Sequence, residues 1–135
     1  MPVASFDHVA LPTNDPEALI VFYGALGFRV PDLAKFRSSG APFFSIHFGS
    51  QKINIHGPAL WQKAGFTLRG PAAKPGCGDL CFVWEGGGEA LHATLEAAGA
   101  EIIAGPVELE GGAGRGVSTY TRDPDGNLLE FIIYD

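Results

Sequence analysis

Four side chains in this sequence have the types and placement for metal or proton chemistry: His8, His56, Asp79 and Glu130. Each falls in a short apolar run, FDHVAL, QKINIH, DLCFVW or NLLEFIIY. Runs of that length read as strands, and alternate side chains of a strand share a face. Val9 and Leu11 then oppose His8, and Ile53 and Ile55 oppose His56. Leu80, Phe82 and Trp84 oppose Asp79, while Leu129, Phe131 and Ile133 oppose Glu130. A carboxylate on a sheet face beside Leu128 and Ile132 is costly to bury without a partner. A divalent cation offsets that cost, and two neutral imidazoles beside a carboxylate are a common ligand set. His8, His56 and Glu130 are therefore candidate metal ligands, with Asp79 as a fourth ligand or a residue that orients a histidine. Plainer roles fit the same spacing. His8 can be a satisfied core histidine, His56 a strand end in water, and Asp79 the cap of a turn after Gly78. Glu130 can pair with Arg122 or Arg115.

The elements that would position these residues occur twice. After the first strand, Asp15-Pro16-Glu17 makes a helix start: a capping Asp, Pro at the first helical position, then an acid near the positive end of the dipole. Leu19, Phe22, Tyr23 and Leu26 recur at helical spacing, and Gly27 stops the helix. Phe28-Arg29-Val30 then begins a strand. PFFSIHFG and QKINIH, parted by Gly49-Ser50, read as a hairpin. The second copy runs DLCFVW, a helix over about 89–98 ended by Gly99, a strand from Glu101-Ile102-Ile103, and a final pair around the turn DPDGN. His8 to Asp79, Gly27 to Gly99 and His56 to Glu130 are 71, 72 and 74 positions apart. Near-constant offsets imply two tandem βαβββ modules in an α+β fold. Module one is about 1–57 and module two about 78–135, within one domain of 1–135. The Pro/Gly-rich join of about 58–77 contains a helical turn packing through Trp61 and a loop long enough for a substrate loop.

Composition narrows the function classes. A length of 135 residues suits one domain with a real core. The 46% hydrophobic and 18% charged content is that of a globular chain. A net charge of −6 and a pI near 5.1 supply no positive field for nucleic acid or an anionic membrane. Cys77 and Cys81 form C-x3-C with no second pair, a poor match to a zinc or redox motif, and read as reduced thiols. No leader-like or membrane-length apolar segment stands out. The expectation is a soluble cytoplasmic protein. His92 falls mid-helix and is expected at the surface. His47, on the face of Phe43 and Ser45, is structural or lines a substrate site.

FDHVALPTNDPEALIVFYGALGF and TRDPDGNLLEFI resemble the opening strand–helix and the closing strand of the vicinal oxygen chelate superfamily, which includes glyoxalase I, bleomycin-binding proteins and extradiol dioxygenases. FGSQKINIHGP, KPGCGDLCFVW and GPVELEGGAGRG are similar to its glyoxalase-domain-containing, lactoylglutathione-lyase-like branch. The resemblance implies a cupped half-barrel of two modules around a metal. Ligands would come from the first and last strands of each: His8 and His56, then Asp79 and Glu130. Glyoxalase I commonly has Glu or Gln at position 56 and His or Gln at position 79, so this chain departs from it at both.

The expected function is that of a divalent-metal-dependent lyase or isomerase on a small 2-oxo or vicinal-oxygen compound. The ion would be Zn, Ni, Mn or Fe, with Asp79 and Glu130 catalytic. Arg115, in the GGAGRG loop, and Lys74 or Arg69 are candidates to hold an anionic group of the substrate. A non-haem iron dioxygenase and a non-catalytic small-molecule binding protein are the alternatives. A homodimer is expected, because open sheet edges favour pairing.

Overall fold

The computed structural model describes residues 2–135. The chain divides into two compact units, Met1–Pro75 and Gly76–Asp135.

The first unit begins with β1 (His8–Pro12), followed by α1 (Pro16–Ala25) and α2 (Leu33–Ser39). The hairpin β2 (Phe43–Phe48) and β3 (Gln51–His56) comes next, then the short α3 (Pro58–Trp61). The strand order is β1-β3-β2, with β1 parallel and β2 antiparallel to β3. One sheet face buries Leu11, Phe44, Ile46, Ile53 and Ile55. Helix α1 contributes Leu19, Ile20 and Tyr23, each under 5% exposed. Asp15 caps α1 by accepting from Ala18 N at 3.1 Å, as the Asp-Pro-Glu start requires. Trp61 donates its indole N–H to Thr13 O at 2.9 Å, tying the helical turn of the join back to β1.

Two features depart from the sequence expectation. The strand expected from Phe28 shrinks to a single antiparallel bridge between Arg29 and His47. Pro31 follows at once and has no N–H to continue the ladder. The second is α2, which no apolar period announces. Its determinants are local: Asp32 accepts from Lys35 N at 2.9 Å at the start, and Gly40 takes a left-handed φ of 65° at the end.

The second unit is a complete βαβββ: β4 (Asp79–Val83), α4 (Gly88–Ala97), β5 (Ala104–Gly111), β6 (Gly114–Arg122) and β7 (Leu128–Tyr134). The order is β4-β7-β6-β5, with only the β4–β7 pair parallel. Phe82, Leu129 and Phe131 form the buried face with Leu91 and Leu95 of α4. The architecture is α+β, with open sheets of three and four strands. At Gly116 a Cβ would meet Ile132 Cγ1 at 2.7 Å and Ile133 O at 2.8 Å, so only glycine lets β6 lie this close to β7.

Candidate functional site

The polar residues picked out by sequence lie on the sheet faces that do not carry the apolar cores, and strand register sets their neighbours. In the first unit, β1, β3 and β2 form three cross-strand rows on that face: His8–Lys52–His47, Ala10–Asn54–Ser45 and Pro12–His56–Phe43. In the second unit, β4, β7 and β6 give Asp79–Leu128–Arg122, Cys81–Glu130–Tyr120 and Val83–Ile132–Ser118.

Laying one register on the other matches His8 with Asp79, as the 71-residue offset anticipates. It matches Glu130 with Asn54 rather than His56, whose counterpart is Ile132. The offset of 74 between His56 and Glu130 is thus one two-residue step away from structural equivalence. Within the first unit, His56 pairs with Pro12 and His8 with Lys52. Four residues of parallel strand separate the two histidines, roughly 13 Å at about 3.3 Å per residue.

Each histidine has its own surroundings. His8 is exposed and donates Nδ1–H to Asp7 Oδ1 at 2.6 Å. A carboxylate there accepts only, so Nδ1 carries a proton; in the neutral ring this leaves the lone pair on Nε2, the arrangement in which an imidazole binds a metal. The hydrogen bond and charge of His8 hold the Asp7 carboxyl below its ordinary value. His56 is half-buried against Phe66, with ring centroids 5.7 Å apart. Burial, then the charge of Arg69, holds its imidazole below the ordinary value.

Glu130 has the richest environment. Ser118 donates its hydroxyl hydrogen to Glu130 Oε2 at 2.6 Å. Cys81 and Tyr120, its cross-strand neighbours, also hydrogen-bond to the carboxylate. Desolvation by its neighbours, then the charge and hydrogen bond of Glu130, pushes the Cys81 thiol up to about 12. Tyr120 is raised as well, by desolvation first, then by its hydrogen bond to Glu130 and by the Glu130 charge. Asp79 adds negative charge to both. The two arginines that spacing offers as partners for Glu130 are engaged elsewhere. Arg115 pairs with Glu108 at 3.0 Å, and Arg122 donates to Gly126 O at 3.1 Å. The turn after Gly78 is held by Asn127, whose Oδ1 accepts from Gly78 N at 2.8 Å.

The substrate-holding candidates are dispersed. Arg115 belongs to strand β6 rather than to a loop, because the β5–β6 ladder continues to the Gly111–Gly114 pair. Arg69 stacks over Trp61 at 5.6 Å and donates to Ala73 O. Lys74 is exposed in the join. His92 is a half-buried helix residue, and His47 lies in the same row as His8.

Among the described residues no three His, Cys, Asp or Glu side chains gather as a ligand cluster. Tested on donor chemistry, Glu130 and the tautomer-fixed His8 suit a divalent cation, whereas the register separates His56 from His8. Sequence reasoning missed Ser118, Tyr120 and Asn54. Tyr120 and Ser118 share the alternation of GVSTYTR, a signal that shows their face but not their partner.

Relatives carry the same domain. The chain is 35% identical over 133 residues to glyoxalase domain-containing protein RDO1 of Mycosarcoma maydis, covering 98% of this chain and 69% of the relative. It is 35% identical over 135 residues to virulence protein STM3117 of Salmonella typhimurium, covering 99% and 87%. The integron cassette protein VCH_CASS1 from the mobile metagenome of V. cholerae superposes with a TM-score of 0.83 at 32% identity, covering 100% and 98%. Two more distant structures share the fold. A lactoylglutathione lyase from Agrobacterium tumefaciens has a TM-score of 0.69 at 21% identity, covering 98% and 96%. A bleomycin resistance determinant encoded on transposon Tn5 has 0.59 at 20%, covering 98% and 99%. No helix among the described residues is long and apolar enough to cross a membrane. Residues 5–131 match the glyoxalase/bleomycin resistance protein/dioxygenase superfamily, and the chain belongs to that superfamily.

Proposed function

We propose that the protein is a divalent-metal-dependent enzyme of the glyoxalase type, a lyase or isomerase acting on a small 2-oxo or vicinal-oxygen compound. The supporting observation is Glu130. It is a half-buried carboxylate in a strand interior, held by a serine hydroxyl, a thiol and a phenol, with no Lys, Arg or His ion pair among the described residues. A group so placed gains most from a bound cation.

His8, Asp79 and Glu130 are the residues proposed to hold the ion; His56 is the predicted ligand that the register sets apart. A bound divalent ion would supply Lewis-acid stabilisation of negative charge on substrate oxygens. Asp7 keeps Nε2 of His8 available. Ser118 orients the Glu130 carboxylate by donating to Oε2. Asp79, exposed and acceptor-only when ionised, either completes the set that holds the ion or takes the proton from an acidified substrate C–H.

The test is metal content and turnover on one preparation. Chelator-stripped protein reloaded with Zn, Ni, Mn or Fe should bind about one ion per chain and convert 2-oxoaldehyde–thiol adducts, and Glu130→Gln should do neither. A second reading, small-molecule binding without turnover, is favoured by Asn54. It places a neutral amide, bonded to Ser45 at 2.9 Å, at the position where the second unit has its carboxylate. Stoichiometric ligand binding by metal-free protein, with no turnover in any metal, would select it.

A homodimer and residence in the cytoplasm belong to the same proposal. Strand β5 is the outer strand of its sheet, and Ile103 and Val107 are over 40% exposed. Light scattering at several concentrations tests the dimer.

A further inference from the structure

The cross-strand row His8–Lys52–His47 does not end at β2. Arg29 and His47 exchange both backbone hydrogen bonds, at 3.0 and 2.9 Å, so Arg29 extends the row by one place. Directly opposed residues project to the same side of a sheet. Two cations and two imidazoles thus cross one face of a unit in a chain whose net charge is −6. The outer end of this row lies on a solvent-open cleft of about 550 Å³ beside α2 and β2, a volume within the range of small-molecule sites.

Its lining divides by chemistry. Arg29, Lys35 and His47 supply the nitrogen groups, and no aspartate or glutamate lines it. Phe36, Phe43 and Phe44 supply the apolar wall. Phe36 and Phe44 are locked edge to face at 5.4 Å, while Phe43 is left 55% exposed. Arg29 spends one N–H on Gly49 O at 3.0 Å and, among the described residues, retains four of its five donors. By contrast Arg37, also on α2, is committed to Glu17 at 2.6 Å.

We propose that the cleft between α2 and β2 binds a small organic anion with a flat apolar body, its charge held by Arg29 and Lys35 and its body packed on Phe36 and Phe43. Burying a flat ring on the exposed Phe43 removes apolar surface from water, and a planar carboxylate matches the guanidinium fork. The site lies wholly within the first unit and does not depend on the metal reading.

The test uses metal-stripped full-length protein in chelator, so failure of the metal reading leaves it intact. The probes are 1-naphthoate and 1-naphthamide, which share a shape and differ in charge. The expected result is saturable shifts in the amide resonances of Arg29, Phe36, Ser45 and His47, with naphthoate about tenfold tighter than the amide. Lys35→Met should erase most of that preference while leaving the melting temperature unchanged, and Arg29→Lys should reduce it in part. Equal affinity for acid and amide, shifts confined to other residues, or no saturation up to ~10 mM would each overturn the proposal.

Discussion

Ser118 and Glu130 are joined between adjacent strands by a 2.6 Å hydrogen bond in which the hydroxyl donates and the carboxylate accepts. Ser118 is 0% exposed, so its hydroxyl has no competing water, although the half-buried Glu130 carboxylate keeps partial access to solvent. Ser118→Ala therefore leaves Glu130 Oε2 short of a partner. The expected cost is about 1–3 kcal/mol of stability at neutral pH, read from the urea midpoint. Adding Glu130→Gln should remove much of the difference, since the charge that needed the hydroxyl is then gone.

The Cys81 thiol, pushed up to about 12, should stay protonated and react slowly at neutral pH. In a Cys77→Ser background, its alkylation rate should still be climbing at pH 10. Glu130→Gln removes the charge that ranks second among the causes of the shift, so the rate profile should move to lower pH. An unchanged profile would mean that Glu130 does not act on the thiol.

His56 sets a pH dependence of opposite sign to that of a salt-bridged histidine. Its folded value lies below the unfolded value of about 6.5, so in that window the unfolded chain binds more protons. Stability from this group is complete above about pH 6.5 and is lost as pH falls through the folded value. Metal-free wild type should therefore lose more stability between pH 7.5 and pH 5 than His56→Gln does. Urea melts at both pH values give the comparison.

Register makes the two histidines separable in metal uptake. His8→Ala should lower divalent-ion affinity at least tenfold, while His56→Ala should stay within about twofold of wild type. Isothermal titration of each variant with Zn or Ni decides it. Equal losses would place both imidazoles on the ion.

Asp79 is exposed at the start of β4 and caps nothing at Gly78, so Asp79→Asn should change stability by no more than about 0.5 kcal/mol. Under the proposed role, the same change lowers metal affinity or turnover. A melt beside a metal titration on one preparation separates the two effects.

Residue order alone decided the helix start at Asp15-Pro16-Glu17, the β2–β3 hairpin, and the alternation that puts Ile53, Ile55, Leu129 and Phe131 in the cores. These are local matters: a cap, a tight turn and a period of two act over a few residues. The same period of two is why position along the strand stayed hidden. Sliding a strand by two residues keeps every side chain on its face, so pattern could not distinguish Asn54 from His56 as the counterpart of Glu130. Only the β1–β3 and β4–β7 ladders made that choice. Pairing of charges was equally out of reach. Arg115 could meet Glu108 or Glu130 until the β5–β6 hairpin set Glu108 near it. The basic row depends on more still, because His8, Lys52, His47 and Arg29 come from three strands and one isolated bridge. Hydrogen bonds between distant segments bring them into line, and no single stretch of sequence contains them.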